Sequence, residues 1–268
     1  MRTLIHLSDL HFGRVDEAIL SPLIAFINGC KPDLVAISGD FTQRARTIEY
    51  IAAQEFLALI SFPKIVVPGN HDVPLRNLFL RFAHTLDSYR RYICDDLQPF
   101  YADGEIAVAG VNTARALTWK DGRINEGQLA KLRTTMGNVA PGVTKIVVTH
   151  HPFDLPAGTE GRVVGRSRLA IKTLSECGVD LLLAGHFHIA DIGYTAKRYN
   201  IPGYSALVVS SGTSTSTRGR GQANSLNVIR IDQPGITIER RLWEREANVF
   251  DLSSIEQFRK TPTGWIRE

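Results

Sequence analysis

Five segments of this chain each run apolar and then stop at residues able to bind a metal ion. They are Ser8-Asp9-Leu10-His11, Ser38-Gly39-Asp40, Pro68-Gly69-Asn70-His71-Asp72, Thr149-His150-His151-Pro152 and Ala184-Gly185-His186-Phe187-His188. Asp9 and His11 are two apart, as are His186 and His188, so in extended backbone each pair points one way. Together they offer two carboxylates, one amide and four imidazoles. Seven side chains are too many for one tetrahedral ion. They fit two adjacent cations, about 3.5–4 Å apart in two-metal sites, with one carboxylate bridging. Nitrogen and oxygen donors without thiolate suit Mn, Fe or Zn. Gly39, Gly69 and Gly185 precede donors, where a missing Cβ permits a sharp turn and close approach.

The elements that must position these residues read as alternating strands and helices, an α/β pattern. Strands are expected at Thr3–Ser8, Leu34–Ser38, Lys64–Val67, Glu105–Val111, Lys145–Thr149 and Asp180–Ala184. Apolar spacings of three and four predict helices at Asp16–Cys30, Thr47–Ile60, Leu75–Ile93, Glu126–Met136 and Arg168–Cys177, with Gly29 and Gly178 as stops. Strand carboxyl ends in an open parallel sheet line one crevice, where ligands bind. Further on, strands are expected at Leu207–Ser210, Ser225–Ile231 and Ile236–Trp243, with a hairpin turn at Gln233-Pro234-Gly235. Ser210–Gly221 reads as a loop, either at the surface or at the crevice rim. The tail from Glu246 is weakly periodic and is expected to pack on the outside. No linker divides the chain, so 1–268 is expected to be a single domain.

Composition narrows the class. The chain has 268 residues, 44% hydrophobic and 22% charged, which excludes a mostly disordered protein. Mean hydropathy is −0.06, and no apolar run approaches the ~18 residues of a membrane span. The N-terminus has no secretory pattern. Three widely spaced cysteines, Cys30, Cys94 and Cys177, make no disulfide scaffold, and a reducing cytoplasm suits them. Net charge is +4, carried by 23 arginines and 8 lysines among the basic residues, which is compatible with an anionic ligand.

Taken in order, the motifs resemble those of the calcineurin-like metallophosphoesterases, D-x-H, GD, GNH, H and GHxH, from about Thr3 to His188. The resemblance implies a four-layer α/β/β/α sandwich, with the C-terminal strands in its second sheet. It implies one metal on Asp9, His11, Asp40 and His188. The other lies on Asp40, Asn70, His150 and His186, with Asp40 bridging. Pro152 marks His150 rather than His151 as the donor, leaving His151 to support the donors or the packing; Phe187 is expected to pack. His71 is implied to face the substrate phosphate and to protonate the leaving oxygen, with Asp72 either orienting it or capping a turn.

Gln43 stands where serine/threonine protein phosphatases carry an aspartate, and His71 where the UDP-diacylglucosamine pyrophosphatases carry arginine. Both subfamilies are thereby disfavoured. The S-D-L-H and P-G-N-H-D segments resemble bacterial class III cyclic nucleotide phosphodiesterases and related glycerophosphodiesterases. The expected activity is hydrolysis of a small anionic phosphodiester, such as cAMP or a glycerophosphodiester, by a metal-bridging hydroxide attacking in line. Asn70 and His71 would contact that substrate. Arg14, Arg44, Arg46, Arg76, Arg218 and Arg220 either clamp it or are solvated surface, with Arg44 and Arg218 the chosen contacts. A nuclease is the alternative favoured by a pI near 9.0, but it lacks the basic patch with interleaved aromatics that nucleic-acid binding asks for. A metal-bearing, non-catalytic scaffold is the other alternative, and His71 argues against it. Assembly into a homo-oligomer is left open.

Overall fold

The computed structural model describes residues 1–75, 77–219 and 221–268; Arg76 and Arg220 lie outside them. The chain begins with β1 (Arg2–Leu7), α1 (Glu17–Cys30), β2 (Leu34–Ile37), α2 (Thr47–Ala58) and β3 (Lys64–Val66). Two short helices, α3 (Leu78–Ala83) and α4 (Asp87–Tyr92), and strand β4 (Phe100–Ala102) lead to a second run. This is β5 (Ile106–Gly110), α5 (Glu126–Gly137), β6 (Thr144–Val148), α6 (Ser167–Glu176) and β7 (Leu181–Ala184). The remaining strands are β8 (Asp191–Tyr194), β9 (Leu207–Ser210), β10 (Ser225–Asp232), β11 (Gly235–Glu244), β12 (Val249–Thr261) and β13 (Gly264–Arg267).

The strands form two sheets, ordered β13-β12-β11-β10-β1-β2-β3 and β4-β5-β6-β7-β9-β8. Side-chain alternation assigns their faces. Leu4 joins Leu34, Ile65, Val108, Val148 and Leu183 in a core between the sheets. Ile5 and Leu7 point the other way, onto Ile19, Leu23 and Ile27 of α1 and Phe56 of α2. Ala107, Val147 and Leu182 of the second sheet meet Leu129 and Met136 of α5 and Leu174 of α6. Three apolar layers between four backbone layers give the α/β/β/α sandwich. Each fully buried Leu or Ile contributes about 1.5–3 kcal/mol relative to exposure. No helix among the described residues is long and apolar enough to cross a membrane.

Several expectations are corrected here. The motif-bearing strands do not share one sheet: β1, β2 and β3 belong to the first, β6 and β7 to the second. The crevice is therefore where two sets of strand ends meet across the sandwich. Nor do the C-terminal strands make up the second sheet. β10 pairs antiparallel with β1 and extends the first sheet through β13, while only β8 and β9 join the second. The helix expected over Leu75–Ile93 is two helices, because the Asn77 side chain caps Leu80 N–H and His84 leaves helical geometry at φ −133°. Gly29 lies inside α1, and the left-handed stop is Lys31 at φ 46°. The tail does lie on the outside, but as strand: β12 is 13 residues long and mostly exposed, and β13 beyond it is the edge of the first sheet. Phe250 and Phe258 alone are deeply buried along it, which leaves little period for the sequence to display.

Candidate metal centre

The donors sit on tight loops just past the strand ends, in unusual backbone. Asp9, His11, Asp40, His186 and His188 have φ of 52°, 50°, 51°, 76° and 58°. Left-handed backbone is unfavourable for such residues by about 1 kcal/mol or more each, and it persists only where surroundings impose it. Glycines allow the loops to close. A Cβ on Gly185 would lie 1.7 Å from Ser8 Oγ and 2.5 Å from Asp9 Oδ2. On Gly69 it would lie 2.1 Å from Asp40 Oδ1.

The expected residues converge as two groups sharing one carboxylate. In the first, Asp9 Oδ1 lies 3.6 Å from His11 Nε2 and 3.3 Å from His188 Nε2. The two imidazole nitrogens are 3.1 Å apart. In the second, His150 Nε2 lies 3.2 Å from Asn70 Oδ1 and 3.3 Å from His186 Nδ1. Asp40 Oδ2 stands between them, 3.7 Å from His11 Nε2 and 3.4 Å from His150 Nε2.

The opposite atoms of these side chains are tied down. His150 Nδ1–H donates to Ser38 O at 2.7 Å, and His188 Nδ1–H to Arg218 O at 3.1 Å. A carbonyl only accepts, so each ring turns an Nε2 lone pair toward the centre. Asp9 Oδ2 accepts from Ser8 Oγ and from His186 N–H, and Asp40 Oδ1 from His71 N–H at 2.8 Å. Among the described residues, Asp9 Oδ1, buried and facing the centre, has no hydrogen-bond partner, and neither does His11 Nδ1 on the far side of its ring.

Electrostatics follow from burying two carboxylates among imidazoles. Burial works against ionising Asp40, but the neighbouring His150 outweighs it, by its charge and its hydrogen bond, and holds the carboxyl far below the usual range. Asp9 is likewise held low, its burial outweighed by His188 and His11. Burial opposes the His150 imidazolium, yet Asp40 and Asp9 push it up to about 9. His188 is raised against burial by Asp9. Burial with the neighbouring His150 charge lowers His186 to about 3. Each carboxylate thus calls for a positive charge at its own end of the cluster. Converging lone pairs, an orphaned buried oxygen and a mixed N/O donor set fit a pair of divalent transition-metal cations.

His71 sits beside the cluster, its ring centroid 4.9 Å from that of His11. Its Nδ1–H donates to Gln43 O at 2.8 Å, and its Nε2 accepts from Arg218 Nη1 at 3.0 Å. Asp72 does not orient it. The buried Asp72 carboxylate accepts from Phe41, Thr42 and Gly69 N–H and from Thr42 Oγ1, pinning the loop after β2 to that after β3. Burial and the Asp40 charge push Asp72 up to about 7. His151 is buried, its Nδ1 2.7 Å from Thr113 Oγ1, and its ring packs on His150 and His186. It could add a donor nitrogen beside theirs. Phe187 packs edge-on against His186.

Ser210–Gly221 is not a surface loop over its first half. Ser210, Ser211, Thr213, Ser214, Thr215 and Ser216 are buried. Their hydroxyls satisfy the strained first loop: Thr213 Oγ1 donates to Asp9 O and Thr215 Oγ1 to Leu10 O. The strap then carries Arg218 to His71. Arg44, Arg14 and Arg46 line a cavity with Arg218 beside the centre. The sequence reading missed Gln43, Ser8 and Ser38 as partners. Ser8 and Ser38 stand directly before motif residues, a usable signal; the backbone carbonyl of Gln43 leaves none.

A two-sheet sandwich with His/Asp clusters at its strand ends defines a metallophosphoesterase architecture. Residues 2–190 match the family model for calcineurin-like phosphoesterases, and the chain belongs to that family. It is 28% identical over 170 residues to a glycerophosphodiester phosphodiesterase, GpdQ, of Enterobacter lignolyticus, covering 57% of this chain and 58% of that one. It is 25% identical over 159 residues to a probable cyclic nucleotide phosphodiesterase of Vesicomyosocius okutanii, covering 56% and 61%. The chain thus spans about three-fifths of these curated relatives. Purple acid phosphatase PPD1 from yellow lupin shares the fold, with a TM-score of 0.69 at 12% identity over 96% of this chain and 53% of its own.

Proposed function

We propose that the chain is a metal-dependent phosphodiesterase acting on a small phosphodiester, a 3′,5′-cyclic nucleotide or a glycerophosphodiester, as one catalytic domain in the cytoplasm. The observation that carries this reading is the pair of donor sets joined at Asp40 Oδ2. The relatives named for glycerophosphodiester and cyclic nucleotide hydrolysis support it. Asp9, His11, Asp40 and His188 would hold one cation; Asp40, Asn70, His150 and His186 would hold the other. Two such ions, of Fe, Mn or Zn, supply Lewis acidity to the phosphate and acidify water.

The protein's own residues do the rest. Ser8 Oγ donates to Asp9 Oδ2 and so holds that carboxylate in place, and the attacking nucleophile of this reading is water. Asn70 orients the phosphate from the second donor set. Arg218 turns from His71 Nε2 to a phosphate oxygen, where a guanidinium gains strength as charge develops. His71, freed at Nε2 and held at Nδ1 by Gln43 O, carries a proton there to the leaving alkoxide.

The test is a substrate panel on protein reconstituted with Mn, Fe or Zn. It includes 3′,5′-cAMP, 2′,3′-cAMP, glycerophosphocholine, glycerophosphoethanolamine, bis-p-nitrophenyl phosphate and p-nitrophenyl phosphate. Diesters should be cleaved well ahead of the monoester. Preference for the monoester, or no turnover at full metal content, overturns the reading.

A further inference from the structure

The arginine-lined cavity beside His71 has a composition that holding one phosphate does not explain. Its volume is about 340 Å3, and its lining includes Arg14, Arg44, Arg46 and Arg218 against a single carboxylate, Glu49. Glu49 is already engaged. It is buried, and its Oε2 accepts from Arg44 N–H at 2.7 Å and from Arg46 N–H at 3.3 Å. Its Oε1 is 4.0 Å from Arg46 Nε. Among the described residues, Arg14, Arg44 and Arg218 make no salt bridge. Arg14, Arg44 and Arg46 are exposed along this lining and Arg218 is half-buried, so the concave space presents a net positive surface that attracts an anion.

The cavity is also built. Arg14 O accepts from Thr217 N–H at 2.9 Å, so the strap holds the first loop against the cavity wall. Arg218 N–H donates to Ser216 Oγ at 3.1 Å, and its Nη1 reaches His71 Nε2 and, at 3.4 Å, Gln43 Oε1. One guanidinium therefore belongs to both places: it borders the metal centre through His71 and lines the arginine cavity on its other side.

We propose that this cavity is a second anion subsite, and that among small phosphodiesters the site favours those bearing a second phosphate on one of their alcohol substituents. The scissile phosphate lies at the donor cluster, and the second phosphate lies among Arg14, Arg44, Arg46 and Arg218. The inference rests on the phosphodiesterase reading and names the substrate class within it. A terminal phosphate dianion offers three oxygens to planar forks, which suits several converging arginines better than a neutral sugar or choline does.

The test compares thymidine 5′-(4-nitrophenyl phosphate) with the same compound phosphorylated at its 3′-hydroxyl, on Mn-reconstituted protein. The 3′-phosphate should raise kcat/KM about tenfold or more, mainly through KM, and the gain should shrink with salt. In the Arg14→Gln, Arg46→Gln double variant the ratio between the two substrates should fall to near one. If both compounds are cleaved equally by the wild type, the second subsite is overturned and the phosphodiesterase reading stands. If neither is cleaved, the substrate panel above still decides the phosphodiesterase reading, and calorimetry with thymidine 3′,5′-bisphosphate decides the subsite alone. Binding about tenfold tighter in the wild type than in the double variant supports it; equal affinity overturns it.

Discussion

Arg218 Nη1 donates to His71 Nε2 at 3.0 Å, while His71 Nδ1–H is held by Gln43 O at 2.8 Å. The two side chains thus act as a unit at the edge of the donor cluster. His71→Ala should keep both metals, measured by elemental analysis, and lose a factor of ~10²–10⁴ in kcat, the scale of an acid/base group. Arg218→Ala should raise KM as well. Because the pair shares one contact, the double variant should lose less than the product of the single losses. Strict multiplicativity in kcat/KM would show that the contact has no part in turnover.

Asp40 ties the two donor sets together and also accepts the His71 N–H through Oδ1 at 2.8 Å. Asp40→Ala should lose metal from both ends and fall to background on bis-p-nitrophenyl phosphate. Asp40→Asn keeps the shape but removes the charge that favours positive neighbours, so it should bind metal more weakly while staying folded. Wild-type metal content in Asp40→Ala would remove Asp40 from the bridging role.

Much of this arrangement was legible because strand ends announce themselves. An apolar run followed by Gly-Asp or Gly-His-x-His places donors on a loop whatever the sheet order, and β1, β2, β3, β6 and β7 ended within a residue or two of expectation. The sheet order itself was not legible. Nothing local in Ser225–Asp232 says that it pairs with Arg2–Leu7, more than 200 positions away, rather than with β9. The strap at 210–216 also misled. Ser and Thr are typical of solvated loops, but here their hydroxyls are buried against carbonyls of left-handed backbone, a need visible only once that backbone is formed. Asp72 followed the same logic in part: its sequence neighbour is His71, but it caps its own turn at Gly69 N–H, the second of the two roles expected, and also holds Phe41 and Thr42 N–H of the loop after β2.

Gly185 tests how tightly the loops close on the donors. Its missing Cβ would lie within 1.7 Å of Ser8 Oγ, an atom that itself donates to Asp9 Oδ2 at 2.6 Å. Gly185→Ala must displace Ser8, and with it the carboxylate opposite His188. A loss of about 1–3 kcal/mol in urea unfolding is expected, together with weaker metal retention under chelator challenge. Gly178, by contrast, has nothing among the described residues within 4 Å of a built Cβ, although its φ is 66°. Gly178→Ala should therefore cost about 1 kcal/mol through backbone conformation alone and leave metal retention unchanged. Equal metal loss in both variants would mean that the Gly185 contact has no special bearing on the site.

His6 offers a pH test away from the donors. It lies fully buried on β1, its Nε2 2.9 Å from Ser38 Oγ, and burial, only partly offset by the Asp9 charge, lowers it from 6.5 to about 3. Between those values the unfolded chain takes up a proton that the folded chain refuses, so the contribution of His6 to stability is intact above pH 6.5 and drains away as pH falls toward 3. From pH 7.5 to pH 5 this amounts to about 2 kcal/mol for one such group. His6→Gln removes the titration and replaces the hydrogen bond imperfectly, costing about 1 kcal/mol at pH 7.5. With chelator present throughout, urea unfolding should find the variant less stable at pH 7.5 and level with or above the wild type at pH 5. A difference between the two proteins that stays constant across that range would mean that His6 is free to protonate inside the folded sandwich.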